Sequence, residues 1–221
     1  MLAGLFAITI ALGPWYYMDY AFYCIMIAAS FDLFDGLIAR LLKAQSAFGK
    51  EFDSICDVVS FGVAPAVISI RVIEQYIVIG NHIFGLVNVY YLAPILFALV
   101  AGIRLAWFNT DEKQTNSFRG LPSPAAGMAL ACIALYWAEL FEIQNVVSIV
   151  SIASLVFASL MLIPIPLLSL KLKDKNSLLL AIALLLVAIP LIIFFQFSSI
   201  VLIVLAYILF SLLIRFLHRM F

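Results

Sequence analysis

Asp32, Asp35, Asp53 and Asp57 stand close together in a chain whose remaining segments are built for lipid. A carboxylate at bilayer depth costs about 2.5–3.5 kcal/mol on an insertion scale, so four unpaired ones cost roughly 10–14 kcal/mol, comparable with the net stability of a whole domain. Bound divalent metal is the natural way to offset that cost. Asp32 and Asp35 are three apart and Asp53 and Asp57 four apart, so each pair shares a helix face. Residues 41–48 are long enough to turn between antiparallel helices, and the resulting hairpin brings the two pairs together. Carboxylate oxygens are the hard ligands that Mg²⁺ and Mn²⁺ prefer. No His or Cys joins the cluster at ligand spacing, which argues against zinc. Four carboxylates can hold two ions with bridging oxygens. Two such ions are a template for phosphoryl transfer, because they clamp a pyrophosphate and neutralise the leaving group.

The residues around the acids are small. Gly36, Ala39 and Gly49 let a ligand approach the backbone closely; Gly36 and Ala39 serve equally well for close helix–helix packing. Arg40 lies about 1.4 turns beyond Asp35, where its planar fork can meet phosphate oxygens.

The elements that position these groups follow from composition. The chain is 67% hydrophobic and 11% charged, against about 45–50% and 25% in soluble domains, and its mean hydropathy is +1.21. Long apolar runs argue for helices and against a barrel. The expected architecture is an all-α integral membrane protein, a polytopic bundle of about eight transmembrane helices at residues 2–12, 17–42, 47–79, 87–108, 123–141, 146–170, 178–196 and 198–217. The first is too short for a full span. The site lies between helices two and three. Pro65 predicts a kink or break in the third segment, Pro164 and Pro166 a bend at the end of the sixth, and Pro190 a bend in the seventh. Residues 1–221 form a single membrane domain with a core over 1–170, and residues 171–221 add two hydrophobic helices that read as lipid-facing. Cys24, Cys56 and Cys132 read as small core residues. Met1 leads straight into an apolar run with no positive n-region, so no signal peptide is expected.

Charge is distributed unevenly along the chain. Arg40, Lys43, Lys50, Arg104, Lys113, Arg119, Lys171, Lys173, Lys175, Arg215 and Arg219 fall at one set of helix ends, and Arg71 alone falls at the other. The positive-inside rule then places the first set, the C-terminus and the aspartates at the cytoplasmic face of a bacterial or archaeal cytoplasmic membrane. Trp15, Tyr16, Tyr17, Tyr90 and Tyr91 fit an aromatic belt on the other face. With zero net charge and no basic tract, nucleic acid is not an expected partner.

The motif Asp32-x-x-Asp35-Gly36-x-x-Ala39-Arg40, eight residues, Gly49-x-x-x-Asp53-x-x-x-Asp57 resembles in full the signature of the CDP-alcohol phosphotransferases. Eight fixed positions arise by chance about once in 10¹⁰ starts at residue frequencies near 5%. The resemblance implies that Asp32, Asp35 and Asp53 hold one Mg²⁺ or Mn²⁺ ion and that Asp32, Asp53 and Asp57 hold a second. It also implies that Asp57 is the catalytic base, that Gly36, Arg40 and Ser46 contact the CDP-linked lipid along with Ala39 and Gly49, and it allows a homodimer.

Beyond the signature, residues 57–66 (DVVSFGVAPA), residues 120–126 (GLPSPAA) and Arg104-Leu105-Ala106 with Phe108-Asn109 resemble the phosphatidylserine synthase branch, which usually has a different residue where Trp107 stands. That branch implies CDP-diacylglycerol and L-serine as substrates. An arginine within an apolar helix is a functional candidate. Arg104 is therefore a candidate for the serine carboxylate, or a snorkelling interfacial residue. Asn109 and Arg119 are further candidates in a polar loop at the same face. Other acceptors of the family, giving phosphatidylglycerophosphate, phosphatidylinositol or phosphatidylcholine, are the alternative. A cation transporter is disfavoured by the absence of an internal repeat and by acids that lie toward one face. An intact set of four aspartates argues against a non-catalytic scaffold. Family members usually carry a further amphipathic stretch and a full first helix ahead of the region where this chain starts, and that piece helps to line the nucleotide site.

Overall fold

A computed structural model describes residues 1–42, 46–79, 87–110, 118–164, 166–167 and 175–220. Its helices are α1 (Leu2–Ala11), α2 (Met18–Leu41), α3 (Ala47–Asp57), α4 (Ala64–Ile79), α5 (Val87–Thr110), α6 (Ser123–Cys132), α7 (Ile143–Leu162), α8 (Lys175–Phe195) and α9 (Ser199–Met220). The only strands among the described residues are β1 (Phe118–Arg119) and β2 (Pro166–Leu167), paired antiparallel with Phe118 opposite Leu167. Four stretches are long and apolar enough to cross a membrane: Phe48–Val78, Tyr90–Trp107, Asn145–Leu162 and Leu184–Ile214. The last contains both α8 and α9, which pack on one another and are joined where Gln196 takes a left-handed φ of 48°. In lipid a segment must satisfy its own backbone groups, which is why uninterrupted Leu, Ile, Val and Ala runs resolve as helices.

The third segment does not break at Pro65. α3 and α4 form one rod, joined by a π-helical turn over Val58–Val63. Pro65 has no N–H, so the carbonyl of Phe61, four residues earlier, cannot receive the ordinary helical bond. The π turn absorbs that mismatch by reaching five residues back, as in the bond from Ala64 N–H to the Val59 carbonyl. Gly127 of α6 packs directly on this turn, and a Cβ there would overlap the Phe61 carbonyl oxygen.

The sixth segment ends at Leu162, short of the expected 170. Ile163 is extended (φ −63°, ψ 127°), because the residue before a proline is driven out of the helical region and Pro164 follows. The Leu160 carbonyl, left without a helical partner, accepts from Leu121 N–H at 3.0 Å. Gly120 (φ 77°) makes that turn possible and lies against the Met161 carbonyl. α8 continues through Pro190.

Arg71 Nε donates to the Ala11 carbonyl at 3.1 Å, Nη2 lies 3.5 Å from the Gly13 carbonyl, and Nη1 pairs with Glu74. The one basic residue expected at the far helix ends thus caps the C-terminus of α1. Two apolar clusters form the interior, one built on Phe22, Ile25, Phe61 and Ile68, the other on Phe97, Leu121, Leu130 and Phe157. Ala7, Ala21, Ala64, Ala101, Ala126, Ala129 and Ala131 are fully buried, as expected where close approach rather than water exclusion drives helix association. α9 is not wholly lipid-facing: it packs on α6 and buries Tyr207 and Ser211.

The Gly127 contact is testable. Gly127→Ala should lower the thermal unfolding midpoint in detergent, with an overpacking cost of about 1–3 kcal/mol. Gly102→Ala is the control, since a Cβ at Gly102 meets nothing within 4 Å, and its midpoint should hold or rise.

Candidate active site

α2 carries Asp32 and Asp35 on its last three turns, and α3 carries Asp53 and Asp57. α3 starts at Ser46, which is extended (φ −127°, ψ 155°) and accepts from Gly49 N–H at 3.0 Å through its hydroxyl oxygen, an N-cap that satisfies one orphan donor. Ser46 and Gly49 therefore have a shared local role that fixes where the helix begins. Ligand oxygens of Asp32, Asp35 and Asp53 all lie within 4.8 Å of one another. Asp32 is half-buried, while Asp35 and Asp53 are exposed. Asp57 stands outside that group, one turn closer to the π turn and half-buried, where the charges of Asp32, Asp53 and Arg104 act on it.

Among the described residues no hydrogen bond or ion pair meets the carboxylate of any of the four aspartates. Two carboxylates at 4.8 Å repel by about 1 kcal/mol in bulk water and by about 3.5 kcal/mol at the effective dielectric near a protein surface. Three all-oxygen anionic donors at this spacing fit a hard divalent cation, which replaces mutual repulsion with attraction to a shared centre.

Arg104 is buried within α5. Its Nη1 donates to Ser123 Oγ at 2.9 Å, and its Nε has no partner among the described residues. It does not snorkel to the surface; its charge acts on Asp57 and on Tyr207 of α9. A buried guanidinium with an unused donor beside a carboxylate is a ready anion site. Asn109 is placed differently. Its Nδ2 donates to Ser54 Oγ at 2.8 Å and to Glu51 Oε2 at 3.3 Å, so its amide faces α3. Gly36, Ala39 and Arg40 belong to α2 and Arg119 to β1, but their side chains lie outside the described part of the structure.

Ser123, Ser54 and Tyr207 were not legible as site residues from sequence. Ser123 is one of several serines in apolar surroundings, and only the fold brings it to Arg104. Ser54 at i+4 from Lys50 was the one local hint of a polar stripe beside the aspartates.

Comparison with known proteins gives the chain a family. Over 117 residues it is 41% identical to a CDP-diacylglycerol–serine O-phosphatidyltransferase of Helicobacter pylori (strain J99 / ATCC 700824), covering 51% of this chain and 46% of that protein. Proteins of the same name from Methanocaldococcus jannaschii (37% over 110 residues; 50% and 48% covered) and Bacillus subtilis strain 168 (34% over 102 residues; 46% and 52% covered) are similar too. The chain spans about half the length of these curated relatives. The family model for CDP-alcohol phosphatidyltransferases matches residues 1–213, running through the aspartate motif and into α9, and the chain belongs to that family.

Proposed function

We propose that the protein transfers the phosphatidyl group of CDP-diacylglycerol to the hydroxyl of L-serine, giving phosphatidylserine and CMP. The observation that carries the reading is the meeting of Asp32, Asp35 and Asp53, from two helices, within 4.8 Å in a chain of this family. The choice of serine is supported by the names of relatives in bacteria and an archaeon. The eleven basic residues at one set of helix ends support a bundle with its site and C-terminus at the cytoplasmic face.

Asp32, Asp35 and Asp53 would hold one divalent ion, and Asp32, Asp53 and Asp57 a second. Ions held there would supply Lewis-acid polarisation of a pyrophosphate and neutralise leaving-group charge. Arg40, with the O–H of Ser46, orients the nucleotide phosphates. Asp57 takes the hydroxyl proton as the serine oxygen bonds to the phosphorus bearing diacylglycerol. The bond from that phosphorus to the CMP oxygen breaks, and CMP leaves with the electron pair. Arg104, held by Ser123, receives the serine carboxylate on its unused donor.

Thin-layer chromatography of labelled CDP-diacylglycerol with each candidate alcohol tests the acceptor: serine alone should yield a new lipid, and a product with inositol or glycerol phosphate instead would reassign it. Asp57→Asn should lower kcat by about 10²–10⁴-fold, the usual contribution of a positioned base. EDTA should abolish turnover and excess Mg²⁺ or Mn²⁺ restore it; full activity in EDTA would remove the metal role. Arg104→Lys should raise the KM for serine by about 10–100-fold, the worth of one hydrogen bond to a charged group, with the KM for CDP-diacylglycerol unchanged. Loss of kcat at constant KM for serine would instead tie Arg104 to Asp57.

A further inference from the structure

Asn109 joins the end of α5 to the aspartate-bearing helix α3 through both its side chain and its backbone. Its amide nitrogen donates to Ser54 Oγ (2.8 Å) and Glu51 Oε2 (3.3 Å), and its carbonyl accepts from Lys50 Nζ at 3.3 Å. Ser54 in turn donates to the Lys50 carbonyl at 3.1 Å. Lys50, Ser54 and Asp57 follow one another at i, i+4 and i+7, a single stripe, and Asp53 stands on the neighbouring one. The amide of Asn109 is thus engaged by α3, and the grip lies beside the carboxylates.

α3 needs such a grip. Phe48, Phe52 and Ile55 are exposed, so ahead of the anchored π turn little packing holds α3 against twisting, and the carboxylates it brings to Asp32 and Asp35 repel them. Rotating a helix by about 20° moves groups at its outer radius of about 5–6 Å by about 2 Å. Oxygen ligands of Mg²⁺ must sit at about 2.0–2.1 Å in near-octahedral array, a tolerance roughly ten times tighter. We propose that Asn109 is a positioning residue: with Ser54, Glu51 and Lys50 it locks the rotation of α3 and so sets Asp53 and Asp57 against Asp32 and Asp35. It is not a ligand of the acceptor. This inference rests on the proposed metal-dependent transfer and names what holds its ligand set in place.

The test uses the full chain in detergent, with Mn²⁺ affinity read by electron paramagnetic resonance and, separately, the KM values for serine and CDP-diacylglycerol at saturating Mn²⁺. Asn109→Ala should weaken Mn²⁺ binding by about 10–100-fold, the usual effect of losing a residue that orients metal ligands, with the KM for serine within twofold of wild type. Ser54→Ala, a milder change, should shift Mn²⁺ affinity in the same direction and covers the case in which Asn109→Ala does not fold. Unchanged Mn²⁺ affinity in the folded variants, or a raised KM for serine at saturating Mn²⁺, overturns the lock. Wild-type protein that makes phosphatidylserine in EDTA, with neither Mg²⁺ nor Mn²⁺ available, overturns the metal reading itself, and the lock with it, a result distinct from any difference between variants.

Discussion

Mutual repulsion among carboxylates sets the terms for this structure. Asp32, Asp35 and Asp53 share a space under 5 Å across, so the helices that bear them cannot be held together by their own acidic ends. The bundle does that work elsewhere. α1, α2 and α4 meet residues of α6, α7 and α9 in one apolar cluster, and α5 meets residues of α4, α6, α7 and α9 in another. Small side chains at the helix contacts permit the close approach that lipid does not itself drive. Packing deep in the bundle therefore sets the direction of α2 and of the rod that carries α3, and polar contacts from Asn109 of α5 meet α3.

The same logic explains the irregular backbone beside the site. A proline within a membrane helix leaves a carbonyl without its donor, and in lipid that loss has no water to repair it. Here the third segment widens into a π turn immediately after Asp57 and stays continuous, with Gly127 giving the turn its room. The rod that carries two of the four aspartates is thereby anchored to the middle of the bundle a single residue past the second of them. Toward the other end of the rod Arg71 meets the C-terminal carbonyl of α1 and pairs with Glu74, which ties the first helix to the fourth.

Arg104 brings the electrostatics of the site together. A cation buried in α5 answers the half-buried carboxylate of Asp57, takes a hydroxyl from α6 through Ser123, and feels Tyr207 on α9. The last helix thus belongs to the surroundings of the site, in keeping with a family match that extends to residue 213. In the proposed reaction this arrangement sorts opposite charges to opposite tasks: carboxylates gather cations around the pyrophosphate, and the Arg104 guanidinium receives the acceptor's anion.

The helical class, the membrane setting and the phosphoryl-transfer motif were legible in the sequence, because each depends on short-range periodicity and spacing: apolar runs for helices, aspartates at i+3 and i+4 for shared faces, and a turn of the right length between them. Proline effects were legible in position but not in outcome. The sequence marks Pro65 and Pro164, yet whether a helix widens or ends depends on what packs beside it, Gly127 in one case and the Leu121 N–H in the other. Side-chain partners across the bundle were not legible at all. Arg104 with Ser123, and Asn109 with Ser54 and Glu51, pair residues 19 to 58 positions apart. Asn109 carried the same residue type whether it met serine or α3. Local spacing determined which groups could share a helix face; only the packed bundle decided which groups meet across helices, because rotation and tilt are set by the sum of many contacts that no single segment contains.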